Sequence, residues 1–413
     1  MARGENILVG LDIGTTKICA IVGEIVDDKR IDIMGIGTYA PKGIKKGMVV
    51  EIDSTVESIK RAVEEAELMA GVEINSVYTG IAGGHIQGLN GHGVVAVKEG
   101  EISASDIERV MDAAKVVSIP NGREVLHVIP QEFTVDGQDG IRDPLKMSGT
   151  RLEVGVHIVT GAVTSAQNIT KCIKLAGLET REVILQPLAS SEAVLTQDEK
   201  DLGVLVVDIG GGTTDIAIFV DGAVRHTAVL PLGGHHLNHD VAVGLRTSPL
   251  EAEKIKIRHG CALAELVKEN ETLEVLGMVG RTPRIVSRQM LSEVIEPRVE
   301  EIFRLVADEV EKAGYEDKIP SGVVLTGGSS LMHGMVELSE QILNLPTRIG
   351  SPSNLGGLID MVRSPIYSTG VGLILYAYRN HSEKRVQTDG KGHVLNQVHH
   401  HAKEWLKEFF GFG

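Results

Sequence analysis

The sequence predicts an α/β fold in which two similar halves face one ligand-binding cleft, because one unusual motif occurs twice. Residues 205–215, LVVDIGGGTTD, are an apolar run that ends in an aspartate and continues into a glycine-rich turn. Residues 9–17, VGLDIGTTK, repeat the Asp-Ile-Gly and the Thr-Thr. An alternating segment follows each copy, at residues 18–22 and 216–220. We therefore expect a strand–turn–strand unit in each half.

The second turn has the residue types that hold phosphate. Residues 210–212 are glycines, whose backbone can reach positive φ and approach a ligand closely. Successive N–H groups and two threonine hydroxyls form an anion cradle, and the Asp208 carboxylate beside it suits a hydrated Mg²⁺. The first copy has Lys17 where the second has Asp215, so one half offers a cation for phosphate while both offer carboxylates for metal. A single copy would fit an ordinary hairpin turn equally well, and the repeat favours phosphate binding.

Length and composition exclude several classes of protein. A chain of 413 residues should form two or three domains with sizeable cores. The formal net charge of −15 argues against nucleic-acid binding, which needs a basic surface. Cys19, Cys172 and Cys261 are far apart and form no metal or disulfide pattern, which is typical of a reducing compartment. With no apolar signal core and no run near the ~18 apolar residues of a membrane span, we expect a soluble cytoplasmic protein.

The first half, residues 1–83 and 162–200, is predicted to begin as a β-β-β-α-β unit. Ser54 and Glu57 fit a capping box at the start of its first helix, and Gly71 is a typical stop. The expected strands are residues 7–22 on both sides of the turn, 31–39 and 77–82.

Residues 84–161 interrupt the first half and are predicted to be a small α+β insertion with its own sheet. Ser105 and Glu108 fit a capping box for a helix that runs to Val117. The insertion offers no catalytic constellation. The other elements expected here and just after it are strands at residues 125–135 and 152–159, a helix at 165–177, a strand at 179–185 and a helix opened by Gln186.

The second half, residues 201–380, is predicted to contain an insertion of its own at about 235–315. Residues 288–314 within it form an amphipathic helix that includes Pro297. The elements expected after it are a strand at 323–326 that ends in Gly327 and Gly328, a helix at 332–343 and a closing helix at 369–378.

The C-terminal tail is predicted to be a flexible linker, residues 381–398, followed by an amphipathic helix, residues 399–413. At about 100° per residue, the apolar side chains of this helix fall within an arc of roughly 160°. Such a helix can lie in the headgroup plane of a membrane with its rings buried; docking on its own domain is the alternative. The residues predicted to enter the membrane are Trp405, Leu406, Phe409, Phe410 and Phe412.

The order of these motifs carries a family resemblance. Two Asp-Ile-Gly turns, a connecting helix at Gln186, the paired glycines at 327 and 328 and a closing Gly-x-Gly helix resemble the actin–Hsp70–sugar-kinase superfamily. The resemblance covers residues 7–378 and implies two α/β domains that close on Mg-ATP. The place of the first insertion, the motifs PLGGHHLNHDVAVGL, SPLEAEKIK and VIEPR, and the amphipathic C-terminus are similar to the FtsA family of bacterial cell-division proteins.

This resemblance implies a protein that tethers FtsZ to the cytoplasmic face of the cell membrane at the division septum, forms filaments and recruits later division proteins. Asp12 and Asp208 would position Mg²⁺ through water. Gln186 stands where Hsp70-like proteins keep a water-orienting carboxylate, and since an amide is a poor base, any ATP hydrolysis should be slow. The residues implied to hold ATP are Gly14, Thr15, Thr16 and Lys17 on one side of the phosphates, Gly210, Gly211, Gly212, Thr213 and Thr214 on the other, Glu253 and Lys256 beside the adenosine, and Gly327, Gly328 and Ser329 beneath the base. Those implied to bind the FtsZ C-terminal peptide are Arg288, Arg298 and Arg304.

Three other functions remain open at this point. A sugar kinase would need an aspartate base for a substrate hydroxyl, and the only candidates are the turn carboxylates. An Hsp70-type chaperone would need a substrate-binding β domain, for which only residues 379–413 remain. An FtsA-like pilus-assembly adaptor would share the core and the insertion but would not need the aromatic C-terminus.

Overall fold

The structure, a computed structural model, describes residues 6–26, 30–277 and 282–388, with side chains as far as Arg379. The strands are β1 (Ile7–Ile13), β2 (Ile18–Val26), β3 (Arg30–Tyr39), β4 (Ile44–Lys45), β5 (Met48–Val49), β6 (Ser76–Ile81), β7 (Gln87–Ala96), β8 (Arg123–Val135), β9 (Gln138–Ile141), β10 (Arg151–Ala162), β11 (Glu179–Leu185), β12 (Val204–Ile209), β13 (Thr214–Val220), β14 (Ala223–Leu230), β15 (Thr272–Val275), β16 (Arg284–Ser287), β17 (Val323–Thr326), β18 (Thr347–Ile349) and β19 (Gly356–Gly357). The helices are α1 (Ile52–Ala70), α2 (Ala104–Ala114), α3 (Val163–Leu175), α4 (Gln186–Val194), α5 (Gln197–Leu202), α6 (Gly234–Gly244), α7 (Pro249–His259), α8 (Arg288–Ala313), α9 (Met335–Leu343), α10 (Ile359–Val362) and α11 (Ser368–Thr388).

Two sheets of the same design carry the two predicted turns. Their strand orders are β11-β6-β1-β2-β3-β19 and β14-β13-β12-β17-β18. In each sheet an antiparallel hairpin, β1–β2 or β12–β13, stands beside a parallel strand, β6 or β17. All six residues of β12 are buried, so both faces of this strand are covered, as its unbroken apolar run predicts. Helix α4 contacts strands of both sheets and packs against α11, which places these two helices where the halves meet.

The insertion has its own sheet, β7-β10-β8-β9, and its own apolar core beneath α2. The sequence analysis missed β7 because the segment is rich in glycine. Two of those glycines lie directly under α2: a Cβ on Gly91 would come within 2.5 Å of the Ala114 carbonyl oxygen, and one on Gly93 within 2.3 Å of that of Val110. Here glycine allows a helix to lie close on a strand.

Two predicted helix starts are wrong. Helix α1 begins at Ile52 rather than at Ser54, because the Thr55 N–H already donates to the Glu51 carbonyl over 3.3 Å, so the first helical hydrogen bond starts before Ser54. Helix α2 is capped by Ser103, not by Ser105. The sequence Ser-Ala-Ser-Asp-Ile-Glu contains two overlapping capping boxes, and the earlier one directs the apolar face of α2 onto the sheet.

The closing helix α11 is longer than predicted. Its backbone continues to Thr388, through the first eight residues of the expected linker. Its N-terminal part packs closely on α4: a Cβ on Gly372 would lie 1.8 Å from the Ala189 carbonyl oxygen. The rest of the linker and the predicted amphipathic helix lie outside the described residues. Of the helices in the described part of the chain, none combines the length and the apolar character that crossing a membrane requires.

Candidate functional site

The two predicted phosphate turns close with the same hydrogen bond. The Gly14 N–H donates to the Lys17 carbonyl over 3.0 Å, and the Gly210 N–H donates to the Thr213 carbonyl over 2.9 Å. Four residues therefore connect the paired strands in each half. The repeat seen in the sequence is a repeat of backbone geometry.

The strand registers correct the alignment of the two motifs. The strand partner of the first turn aspartate is Cys19, and that of the second is Asp215. Lys17 accordingly corresponds to Thr213 and not to Asp215. The Thr-Thr pairs also stand at different places, at the tip of the first turn and at the end of the second, although both turns contain four residues.

The tips of the two turns touch. A Cβ on Gly211 would lie 1.8 Å from Thr16 Oγ1, and one on Gly212 would lie 2.4 Å from Thr15 Oγ1. The sequence analysis gave two reasons for these glycines, positive φ and close approach. The first is wrong, because none of Gly210, Gly211 and Gly212 has a positive φ. Close approach is the reason that holds: the threonines of one half fit against the glycines of the other.

Both turns face a cavity of about 310 Å³ between the halves. With the exception of Thr214, every residue implied to hold ATP or to act in hydrolysis lines this cavity. The lining residues that the sequence analysis did not assign are Ile13, Gly47, Asp215, Gly234, Leu237, Ile257, Leu331, Met332, Pro365, Ile366 and Thr369. Asp215 and Thr369 belong to motifs that were visible in the sequence, whereas Gly47 had no signal.

Thr214 does not line this cavity, contrary to the role that the family resemblance implies for it. It is fully buried in β13, and its Oγ1 donates to the Leu232 carbonyl over 3.0 Å. The hydroxyl is therefore committed to the sheet and is not available to a phosphate.

Three buried carboxylates lie at the base of the cavity. Burial raises the pKa of Asp12, although Lys17 opposes the shift. Burial and the neighbouring Asp12 raise the pKa of Asp208 to about 6. Burial and Asp208 raise the pKa of Asp215 well above its usual value, and its Oδ1 has no hydrogen-bond partner among the described residues. Desolvation by burial is the main physical cause, and neighbouring carboxylates add to it for Asp208 and Asp215.

This carboxylate cluster suits a divalent cation that keeps its water. A cation would stabilise the ionised carboxylates, and Asp215 Oδ1 would gain a partner. The described residues contain no group of three His, Cys, Asp or Glu placed to hold an ion directly. Magnesium retains several waters in proteins, so the carboxylates would act through those waters.

Neutral donors orient the two turn carboxylates. The Gln186 Nε2 donates to Asp12 Oδ1, and the Thr369 Oγ1 donates to Asp208 Oδ2, each over 3.2 Å. With its amide N–H turned to Asp12, Gln186 keeps its carbonyl oxygen as an acceptor for a water. This side chain can orient water but cannot remove its proton efficiently.

Lys17, the last residue of the first turn, is held by contacts with Ile366 and Tyr367. Its Nζ donates to the Ile366 carbonyl over 2.8 Å and lies 4.0 Å from the centre of the Tyr367 ring. A Cβ on Gly328 would also lie 3.7 Å from Ile366. Lys17 therefore stands at the end of the turns that adjoins the paired glycines.

Residues of the second half form that end of the cavity. Lys256 Nζ donates to Glu253 Oε2 over 3.0 Å and to the Gly234 carbonyl over 3.3 Å. The Asn238 amide also donates to Glu253. Gly327 has a φ of 82°, and a Cβ there would lie 2.3 Å from Asp208 Oδ1. Close backbone packing thus joins the paired-glycine turn to the carboxylates.

The three arginines implied to bind a peptide already have partners within the chain. Arg288 pairs with Glu271, and Arg298 with both Asp240 and Glu301. Arg304 pairs with Glu300 one helical turn away, yet 70% of its side chain is exposed. Only Arg304 of the three is mostly accessible to a partner.

In sequence, the chain is similar to proteins of a single family. The family model "Cell division protein FtsA" matches residues 205–372, and "SHS2 domain inserted in FTSA" matches residues 83–160. The chain is 54% identical to the cell division protein FtsA of Pseudomonas aeruginosa, covering 92% of this chain and 91% of that one. It is 41% identical to FtsA of Escherichia coli, covering 98% and 97%, and 43% identical to FtsA of Bacillus subtilis, covering 92% and 85%.

Solved structures show the same fold at low identity. A PilM–PilN type IV pilus biogenesis complex matches with a TM-score of 0.65 at 17% identity, covering 90% of this chain and 98% of that one. MreB5 of Spiroplasma citri bound to AMPPNP matches with a TM-score of 0.56 at 14% identity, covering 93% and 99%. The predicted actin-like fold with an α+β insertion is confirmed. The likeness to the pilus protein is one of fold alone.

Proposed function

Because the chain belongs to the FtsA family of cell division proteins, we propose that it binds Mg-ATP between its halves and links FtsZ to the cytoplasmic membrane. Its role in cell division follows from the family. The nucleotide, the partners, the filament and the place at the septum belong to the proposal. The observation that carries it is the pair of identical turns whose tips meet above three buried carboxylates.

Nucleotide binding is supported by how the chain's own groups are distributed. Backbone N–H groups at the turn tips and Lys17 supply positive charge for phosphate. Glu253 and Lys256 offer an acceptor and a donor for the sugar hydroxyls, and apolar side chains such as Leu237 and Ile257 offer a surface for the base. When bound, Mg²⁺ would neutralise phosphate charge and position water. Gln186 orients that water, and the absence of a strong base at this position keeps hydrolysis slow.

The test of nucleotide binding is calorimetric titration of the full-length protein with ATP, with and without Mg²⁺. We expect binding that requires Mg²⁺ and that Asp208→Ala abolishes. Asp317→Ala, an exposed aspartate far along the chain, is the control and should change nothing. Affinity that is the same in Asp208→Ala as in the unmodified protein would refute the assignment of this cleft.

FtsZ binding is proposed for the outer face of α8. An exposed arginine can form two parallel hydrogen bonds with a carboxylate of an acidic peptide. Arg288 and Arg298 form ion pairs within the chain that hold α8 in place. Arg304 is therefore the residue to test. Its pair with Glu300 is exposed and contributes little to stability.

Peptide titration of Arg304→Glu measures this contribution. We expect at least fivefold weaker binding of the FtsZ C-terminal peptide, since charge-assisted hydrogen bonds contribute about 1.5–3 kcal/mol. Arg61→Glu is a matched control, because Arg61 pairs with Glu57 at the same helical spacing on another surface. Equal affinities of the two variants would place the peptide elsewhere.

We propose that copies of the chain assemble by head-to-tail stacking. Head-to-tail contacts that do not close into a ring extend into filaments. The insertion is proposed as one contact face and as a surface for later division proteins. It exposes Val116, which is 86% accessible. Val116→Glu should shorten or abolish filaments in electron micrographs. Leu68→Glu, equally exposed on α1, is the control, and filaments unchanged by Val116→Glu would exclude this part of the insertion.

Membrane attachment is proposed for residues 399–413, which lie outside the described part of the chain. Burying ~300 Å² of apolar surface at about 25 cal/mol per Å² would contribute on the order of 7 kcal/mol, part of which is offset by ordering the helix. Many copies on one filament would bind far more tightly than a single copy. Truncation after Thr388, or Trp405→Glu with Phe409→Glu, should leave an ATP-binding protein that no longer floats with vesicles. Continued flotation would place the membrane contact elsewhere.

A further inference from the structure

The loop between β3 and α1 meets the phosphate turns, and nothing in its sequence signalled this. The Gly47 N–H donates to Thr15 Oγ1 over 3.0 Å. A Cβ on Gly212 would lie 2.9 Å from the Cα of Lys46. The loop thus touches the tip of the turn in each half, and Gly47 lines the cavity.

Lys46 has a backbone conformation that its residue type disfavours. Its φ is 50°, in the left-handed region that favours glycine. Lys46 and Gly47 form the two-residue turn of the β4–β5 hairpin, in which both residues have positive φ. The hairpin turn accounts for this conformation and places Lys46 at the tips of the phosphate turns.

Lys46 has no counter-ion in the described part of the chain, since none of the described carboxylates lies within ion-pair distance of its half-buried side chain. It lies near the N-terminal end of α6, the positive end of the helix dipole. Its charge acts there on His236, whose pKa is lowered mainly by burial and further by Lys46. An anion between the turns would relieve this repulsion.

Lys17 and Lys46, two lysines of the first half that lie beside the turns, stand at opposite ends of them. Lys17 is tied to Ile366, beside the paired glycines. Lys46 is at the tips, against Gly212. In a nucleoside triphosphate the terminal phosphate lies farthest from the base, so the two positions can distinguish the terminal phosphate from the inner ones.

We propose that Lys46 binds the terminal phosphate of the nucleotide and makes this cleft favour a nucleoside triphosphate over a diphosphate. The inference rests on the proposed nucleotide binding. Of the two phosphate turns, the second has its tip against the Lys46 Cα. The Gly47–Thr15 hydrogen bond fixes the loop to the first of them.

Calorimetric titration with Mg-ATP and with Mg-ADP tests this, on full-length protein and on three variants. Lys46→Gly should lower ATP affinity by roughly 10-fold or more, as expected for a lost charge-assisted hydrogen bond, and ADP affinity by less than about threefold. Its melting temperature without nucleotide should be equal or higher, because glycine relieves the strain. Lys46→Ala should bind as Lys46→Gly does, and Lys45→Ala, at the exposed neighbouring position, should bind both nucleotides normally.

A purely structural lysine would show the opposite pattern, with lower stability and equal losses for the two nucleotides. Equal losses for ATP and ADP, or ATP binding by Lys46→Gly that matches Lys45→Ala, would overturn the inference. Failure of the unmodified protein to bind Mg-ATP would instead overturn the proposed function, so the two failures are distinguishable.

Discussion

Replacing Asp208 with asparagine should stabilise the nucleotide-free protein while abolishing its Mg-dependent ATP binding. Asp208 is 6% exposed, and burial together with Asp12 raises its pKa from 3.8 to about 6. For an acid whose folded pKa is raised, folding is most favourable below the unfolded pKa, and stability is lost as the pH rises through the folded value. At pH 7.5 the charged carboxylate therefore destabilises the fold.

The magnitude follows from the shift. A difference of about 2 pKa units at about 1.36 kcal/mol per unit is about 3 kcal/mol at pH 7.5. The same linkage gives roughly 1 kcal/mol near pH 4.5, where most of the folded protein is already protonated. The pKa of about 6 already includes the hydrogen bond from Thr369, and asparagine keeps a carbonyl oxygen that can accept it. The expected gain is therefore about 3 kcal/mol at pH 7.5 and about 1 kcal/mol at pH 4.5.

Urea denaturation of Asp208→Asn and of the unmodified protein at several pH values measures this gain. Asp317→Asn, at an exposed position, is the control and should show no pH-dependent difference. Saturating Mg-ATP should reverse the order of stability, since only the unmodified protein binds it. A variant that is less stable at pH 7.5, or a gain that does not change between pH 4.5 and 7.5, would refute the reasoning.

Three further variants test the geometry of the site and of the insertion. Gly211→Ala should weaken ATP binding at least tenfold in a calorimetric titration, since its Cβ would lie 1.8 Å from Thr16 Oγ1. Thr214→Val should change ATP affinity less than about twofold, because its hydroxyl serves the Leu232 carbonyl. Burial lowers the pKa of His157 to about 3, so the fold should lose stability as the pH falls below 6.5, and thermal melts between pH 6.5 and 4.5 should show a smaller loss in His157→Gln.

The sequence predicted the residues of the cleft well because they lie in local motifs. A strand, an aspartate and a glycine-rich turn are contiguous in the chain, and their repetition predicted two facing copies. The alignment within the repeat failed, because the letters Thr-Thr do not reveal that the turn closes at Lys17 in one half and at Thr213 in the other. That closure is a backbone hydrogen bond, which only the folded hairpin shows.

Features that depend on distant contacts could not be predicted. The position of Lys46 against the phosphate turns depends on Gly212, far along the chain. The strand β7 depends on α2 lying across its glycines. In each case the chemistry was visible in the sequence, but its partner was supplied by tertiary structure.

The insertion belongs covalently to the first half but docks on β14, the edge strand of the second half. The buried His157 Nε2 lies 2.8 Å from Thr227 Oγ1, and the Gln131 amide donates to the Val224 carbonyl over 3.1 Å. Buried hydrogen bonds of this kind are costly to break, since each group would be left unsatisfied. The chain enters the insertion through Gly83, whose φ of 130° only glycine adopts readily.

These two facts together predict which way the insertion moves when the cleft opens. A rotation of the halves must either break the contacts that β7, β8 and β10 make on β14, or bend the chain at both Gly83 and the β10–α3 junction and break the 3.0 Å hydrogen bond from the Leu185 N–H to His127 Nε2. The contact with β14 involves three strands of the insertion and is the more extensive of the two. The insertion should therefore move with the second half, although it is an extension of the first. Spin labels at Val116 and Leu202, both exposed, should keep a constant separation with Mg-ATP and with Mg-ADP, whereas labels at Val116 and Leu68 should change theirs. A constant Val116–Leu68 distance combined with a variable Val116–Leu202 distance would show that the interface on β14, and not Gly83, is the point that yields.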